Sequence, residues 1–81
     1  MQPSPIPLKS LPDGASGVVE RVELAGATTR RLVEMGITPG VRVRVRKRAP
    51  LGDPIEILLR GFSLTLRGED AEKILVAEVR R

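Results

Sequence analysis

The 81 residues carry no cysteine and no histidine, a single aromatic side chain (Phe62) and a net charge of +4. This leaves room for one domain, and it removes disulfides, thiolate metal sites and the commonest general base. It also leaves the core to Val, Leu and Ile, without the rings that line proline-peptide grooves or single-strand nucleic-acid platforms.

Residues 1–7 include Pro3, Pro5 and Pro7 and read as a flexible lead-in, with the domain proper expected over 8–81. The lead-in has neither the basic start nor the apolar stretch of a signal peptide, so the expected compartment is the cytoplasm. No later run approaches the roughly 18 apolar residues of a spanning helix, and no insertion into a membrane is expected. Leu8 and Leu11 are spaced to pin a short turn to the core, and Pro12-Asp13-Gly14 has turn chemistry. Gly17 to Leu24 reads as the first full strand, and Glu20 on its otherwise apolar face suggests a bulge. Ala27 to Met35 has helix character. Leu32 and Met35 share a face, Gly36 stands where a C′ glycine belongs, and Ile37 can supply the apolar contact of a Schellman end. Thr38-Pro39-Gly40 fits a type II turn.

Val41 to Lys47 alternates valine and arginine and is the clearest strand. It places Arg42, Arg44 and Arg46 on one outward stripe about 7 Å apart. Ala49-Pro50-Leu51-Gly52-Asp53-Pro54 then breaks the alternation before Ile55-Glu56-Ile57-Leu58-Leu59 resumes it, so one strand turns and another returns. The two prolines preset φ and cannot donate to a ladder, which makes the turn stiff and brings Leu51 near its tip. Such a tip suits presentation to a partner; equally, Leu51 could fold back on the core. Gly61 marks a second tight turn, and Phe62, Leu64 and Leu66 form a further inward row. Residues 68–73 read as one helical turn and Ile74 to Val79 as the last strand. Five short strands, one short inserted helix and turns rich in Gly and Pro make the pattern of a small all-β antiparallel barrel.

No side chains form a catalytic constellation, and the Gly-containing turns match no phosphate-binding motif. Glu69/Asp70/Glu72 and Glu20/Glu23 could hold only a hard cation, and a solvated helix start and a half-exposed strand explain them as well. No enzyme activity, metal site or cofactor is expected. The arginine stripe could meet phosphates or an acidic protein surface, or be a solvated face that discourages edge-to-edge pairing. The missing rings and few lysines favour the acidic protein and make nucleic acid the weaker alternative.

The order Leu8-x-x-Leu11-x-x-Gly14, Gly17-Val18-Val19, Arg31-Leu32-x-x-Met35-Gly36-Ile37-Thr38-Pro39-Gly40, Ala49 to Ile55 and Leu66-Arg67-x-x-x-Ala71-x-x-Ile74-x-Val76 resembles the FeoA family, the accessory proteins of bacterial ferrous iron transport. The same module is similar to the C-terminal SH3-like domain of DtxR-type iron-dependent repressors. The resemblance covers about residues 8–79. It implies an SH3-like β-barrel with an inserted helix and a partner, the membrane GTPase FeoB. It places a partner surface at Leu32, Met35 and Ile37 on the helix and its exit, and at Pro50, Leu51, Gly52 and Asp53 in the stiff loop. A stand-alone metalloregulator-type module acting in trans is the other reading it allows, and self-association through the loop tip or strand edges stays open.

Overall fold

The computed structural model describes residues 4–23 and 26–81. Six strands form one antiparallel sheet: β1 (Ile6–Pro7), β2 (Ser16–Val22), β3 (Arg42–Arg48), β4 (Ile55–Leu59), β5 (Phe62–Leu66) and β6 (Ile74–Arg80). Their spatial order is β1-β6-β2-β3-β4-β5. Helix α1 (Ala27–Glu34) joins β2 to β3, the one-turn helix α2 (Gly68–Ala71) joins β5 to β6, and a 3₁₀ turn (Leu8–Ser10) follows β1. This is a small SH3-like fold with one inserted helix. The hydrogen-bonded ladder does not close into a complete barrel, because β1 and β5 remain its two edges.

A single aliphatic core holds both ends of the sheet together. Leu8 and Leu11 before β2, Leu32 and Ile37 around α1, Val43 and Val45 of β3, Ile55 and Ile57 of β4 and Leu66 of β5 are all buried in it. The alternation read from the sequence therefore points inward in β3 and β4 as expected. In β5 it does not hold throughout: of the expected inward row only Leu66 is buried, Leu64 is half-buried, and Phe62 is 45% exposed beside the turn at the sheet edge. The expected bulge is present as register shifts in β2 between Ser16 and Val18 and between Val19 and Arg21. Leu24, expected to end this strand, lies outside the described residues.

Two further elements differ from the sequence reading. Ile6 and Pro7, placed in the lead-in, pair with Val76 and Leu75 at the sheet edge. A proline is tolerated there because no further strand needs its missing donor. The second difference is in β3, whose register shifts between Val45 and Lys47. The bulge leaves Arg46 and Lys47 both exposed and turns Arg48 half inward, so the even outward stripe ends at Arg46 and does not continue to Arg48.

Arg48 then has a structural task. Its Nη1 donates to Asp13 Oδ1 at 2.6 Å, and its Nη2 donates to the carbonyl oxygens of Lys9, at 2.6 Å, and Leu11. One guanidinium thus satisfies the turn carrying Leu8 and Leu11 and holds it against β3. Arg48→Ala is expected to lower folding stability by about 2 kcal/mol, since charge-assisted bonds to two carbonyls are lost, the Leu11 one partly buried. A denaturant melt reads this, and a change below about 0.5 kcal/mol would show that the clamp contributes little.

Candidate functional site

The end of α1 is built as the sequence predicts. The Gly36 N–H donates to the Val33 carbonyl at 2.9 Å and the Ile37 N–H to the Leu32 carbonyl at 3.0 Å. Gly36 takes φ +97°, so this is a Schellman end with Ile37 turned into the core. The type II turn follows, with the Val41 N–H donating to the Thr38 carbonyl at 3.1 Å and Gly40 at φ +95°. Leu32 and Ile37 have no exposed surface. Of the helix residues singled out, only Met35 reaches the surface, half-buried against the core. Leu32 and Ile37 can support a docking face from beneath but cannot themselves touch a partner while the domain is folded.

The loop between β3 and β4 is closed at its base and again at its tip. The Ala49 N–H donates to the Pro54 carbonyl at 3.0 Å, and the Gly52 N–H to the Ala49 carbonyl at 2.7 Å. Pro50 occupies the position of that inner turn which a preset φ favours, and Gly52 at its end takes φ +88°. Asp53 pins the loop from the side. Its Oδ1 accepts the Gly68 N–H at 2.9 Å, at the start of α2. A side chain on Gly68 would meet the other carboxylate oxygen at 3.2 Å, so the contact uses the missing Cβ. Asp53 is therefore mainly a brace.

Leu51 does not fold back. It is 97% exposed at the tip of this braced loop, where water meets nearly the whole side chain. Beneath the loop lies a hollow of about 260 Å³ lined by Lys47, Arg48, Pro50, Pro54, Glu56 and Thr65. A second hollow of about 260 Å³ lies between α1 and β5, lined by Arg31, Met35, Thr65, Leu66, Arg67 and Asp70. Thr65 borders both, so the loop and the end of α1 flank one surface. The pairing of Arg31 with Asp70 at 3.5 Å ties α1 to α2 as Asp53 ties the loop to α2. The sequence reading gave Thr65 no role at this surface and did not connect Arg31 with Asp70, because no local pattern marks a residue whose role comes from elements distant in the chain.

Asp53→Ala is expected to cost about 1 kcal/mol in stability and to leave Leu51 exposed on a looser loop. Amide exchange at Gly52 and Gly68 should rise together. Unchanged exchange at Gly68 would mean that Asp53 does not brace the loop.

Charges on the outer face are less free than the stripe suggested. Arg46 pairs with Glu56 at 3.4 Å, Lys47 with the same carboxylate at 4.0 Å, and Arg48 with Asp13 at 2.6 Å. Among the described residues no three acidic, histidine or cysteine side chains gather as a metal site. No helix among them is long and apolar enough to cross a membrane.

Comparison with known proteins agrees with this architecture. The family described as the FeoA domain matches residues 6–78. An Fe(2+) transport protein A/Fe(2+) transporter FeoB fusion protein of Porphyromonas gingivalis is 39% identical over 69 residues, which is 85% of this chain and 8% of that protein. The NMR structure of a FeoA-like protein from Clostridium acetobutylicum superposes with a TM-score of 0.86 at 31% identity, covering 98% of this chain and 93% of that one. A manganese-dependent transcriptional repressor in complex with manganese matches with a TM-score of 0.83 at 27% identity, over 93% of this chain and 37% of the repressor. The chain thus spans a small part of both the fusion protein and the repressor.

Proposed function

The chain belongs to the FeoA family, and on that premise we propose that it is a non-catalytic, cytoplasmic accessory protein of bacterial ferrous iron uptake. It acts by docking on the cytoplasmic part of a FeoB-like membrane GTPase, and iron is the transporter's cargo. The relative in which a FeoA part and FeoB share one polypeptide supports this partner, since fusion keeps two parts at high effective concentration.

The observation that carries the reading is Leu51, almost fully exposed on a loop braced by Asp53 and closed by two backbone hydrogen bonds. Exposing a large aliphatic side chain at a stiff tip gains nothing for folding. It does suit insertion into an apolar pocket, because little loop entropy is lost on binding. Pro50 and Gly52 shape the tip, and Met35 with the hollow beside Thr65 extends the surface. Leu32 and Ile37 hold that surface in place.

Calorimetric titration of this chain with the soluble GTPase domain of its own FeoB tests the proposal. Saturable one-to-one binding is expected. Heats no larger than dilution, at concentrations up to about 1 mM, would remove the GTPase domain as the docking partner.

A further inference from the structure

The arginines differ in their access to carboxylates. Among the described residues, Arg21, Arg31, Arg46, Arg48 and Arg67 each lie within ion-pair distance of a carboxylate. Arg30, Arg42, Arg44, Arg60, Arg80 and Arg81 do not, and of these Arg42, Arg44 and Arg60 line one hollow of about 500 Å³, floored in part by half-buried Leu58. Arg42 donates to Ser16 Oγ at 3.3 Å and to the Glu78 carbonyl at 3.4 Å, and Arg44 donates to the Gly14 carbonyl at 2.7 Å. These acceptors are neutral. They hold the guanidiniums in place without cancelling their charge, and each guanidinium keeps further N–H groups free.

Arg60 adds a second observation. With Gly61 it forms the two-residue turn between β4 and β5, and both take positive φ, +50° and +85°. Asparagine or glycine fits the first position of such a turn with less strain than arginine. A long cation therefore stands where the backbone prefers a short residue, next to two other uncompensated cations. Local strain of this kind points to use of the side chain.

We propose that this hollow binds an extended acidic peptide segment through Arg42, Arg44 and Arg60. Arg42 and Arg44 are alternate residues of β3, so their side chains leave the sheet about 7 Å apart, the same repeat as alternate carboxylates along an extended peptide. Planar guanidiniums bind carboxylates in forked pairs, and Leu58 beneath them gives the methylene stems of such side chains an apolar floor. One small anion could not engage cations spread over that distance equally well. The hollow lies at the far end of β4 from the Leu51 loop, so this contact is independent of the proposed docking on FeoB.

The test is an amide NMR titration of the whole chain with a blocked nonapeptide carrying glutamate at alternate positions in a serine and glycine background. A peptide with serine in place of every glutamate, inorganic phosphate and a short DNA duplex are run alongside. The expected result is shifts confined to Ser16, residues 42–44 and residues 58–61 with the acidic peptide alone, weakening as salt rises. Arg60→Asn suits the turn and keeps the fold; it should weaken binding about three- to tenfold, while Arg46→Ser leaves it unchanged. Equal binding by Arg60→Asn, shifts centred elsewhere, or no shifts would overturn the site. Phosphate or DNA matching the peptide at the same residues would overturn the peptide as its ligand.

Discussion

Replacing Leu51 with aspartate is expected to weaken binding to the FeoB GTPase domain at least about a hundredfold while leaving the melting curve of the isolated domain unchanged. The two halves of that prediction have one cause. Leu51 is almost wholly in water when the protein is free, so a carboxylate there loses no packing and meets no desolvation. In the complex the same side chain would be buried. Burying a leucine contributes about 1.5–3 kcal/mol, and forcing a carboxylate into the same pocket adds a desolvation cost. Leu51→Ala should lose only the transfer part, about tenfold in affinity. Calorimetry reads the affinities and a thermal melt reads the fold. If Leu51→Asp binds as the parent does, the loop tip is not the anchor, and docking must be sought around Met35 and Thr65.

Leu32→Ala should do the reverse. Leu32 has no exposed surface and packs in the core beneath α1. Truncating it leaves a cavity as well as losing transfer energy, a loss of about 3 kcal/mol. For a domain of this size that is a large part of the total stability and corresponds to a fall in Tm of roughly 12–24 °C. Affinity for the GTPase domain, measured well below the new Tm, should stay within about twofold, because a surface substitution effect is absent when the side chain never reached the partner. A variant that melts normally but binds poorly would place Leu32 in the interface after all. The pair of substitutions separates two leucines that the sequence offers together as candidates, Leu51 as the better contact and Leu32 as the one more suited to the core.

That pair shows where sequence reasoning stops. The Schellman end at Gly36 and Ile37 and the closed turn at Pro50 and Gly52 depend on residues within six positions of one another, and their chemistry is local. They are legible for that reason. Leu32 is different. Helical spacing says that it shares a face with Met35, but only the sheet packed beneath α1 decides that Leu32 is sealed and Met35 is half open. Leu51 is the converse case, since a hairpin tip can fold inward or stand free and the choice is made by Asp53 reaching Gly68. That contact spans fifteen positions and leaves no periodic trace.

The arginines teach the same point about charge. Alternation along Val41 to Lys47 predicts a continuous stripe, but one bulge after Val45 rotates Arg48 onto the Lys9 and Leu11 carbonyls. Glu56 on the neighbouring strand draws Arg46 into an ion pair. Of the arginines left without a carboxylate partner, Arg42 and Arg44 share one hollow with Arg60, from a turn that no strand pattern includes. The edge pairing of Ile6 and Pro7 was likewise hidden, because its partner β6 lies at the other end of the chain.

The measurement that bears most directly on the docking claim is an amide NMR titration of the labelled chain with the soluble FeoB GTPase domain. The structure-based expectation is that perturbed amides cluster at residues 49–54, with weaker shifts at Met35 and around Thr65, and that Leu51→Asp abolishes all of them together. Saturable binding with shifts confined to residues away from that surface, or shifts that survive Leu51→Asp, would contradict it.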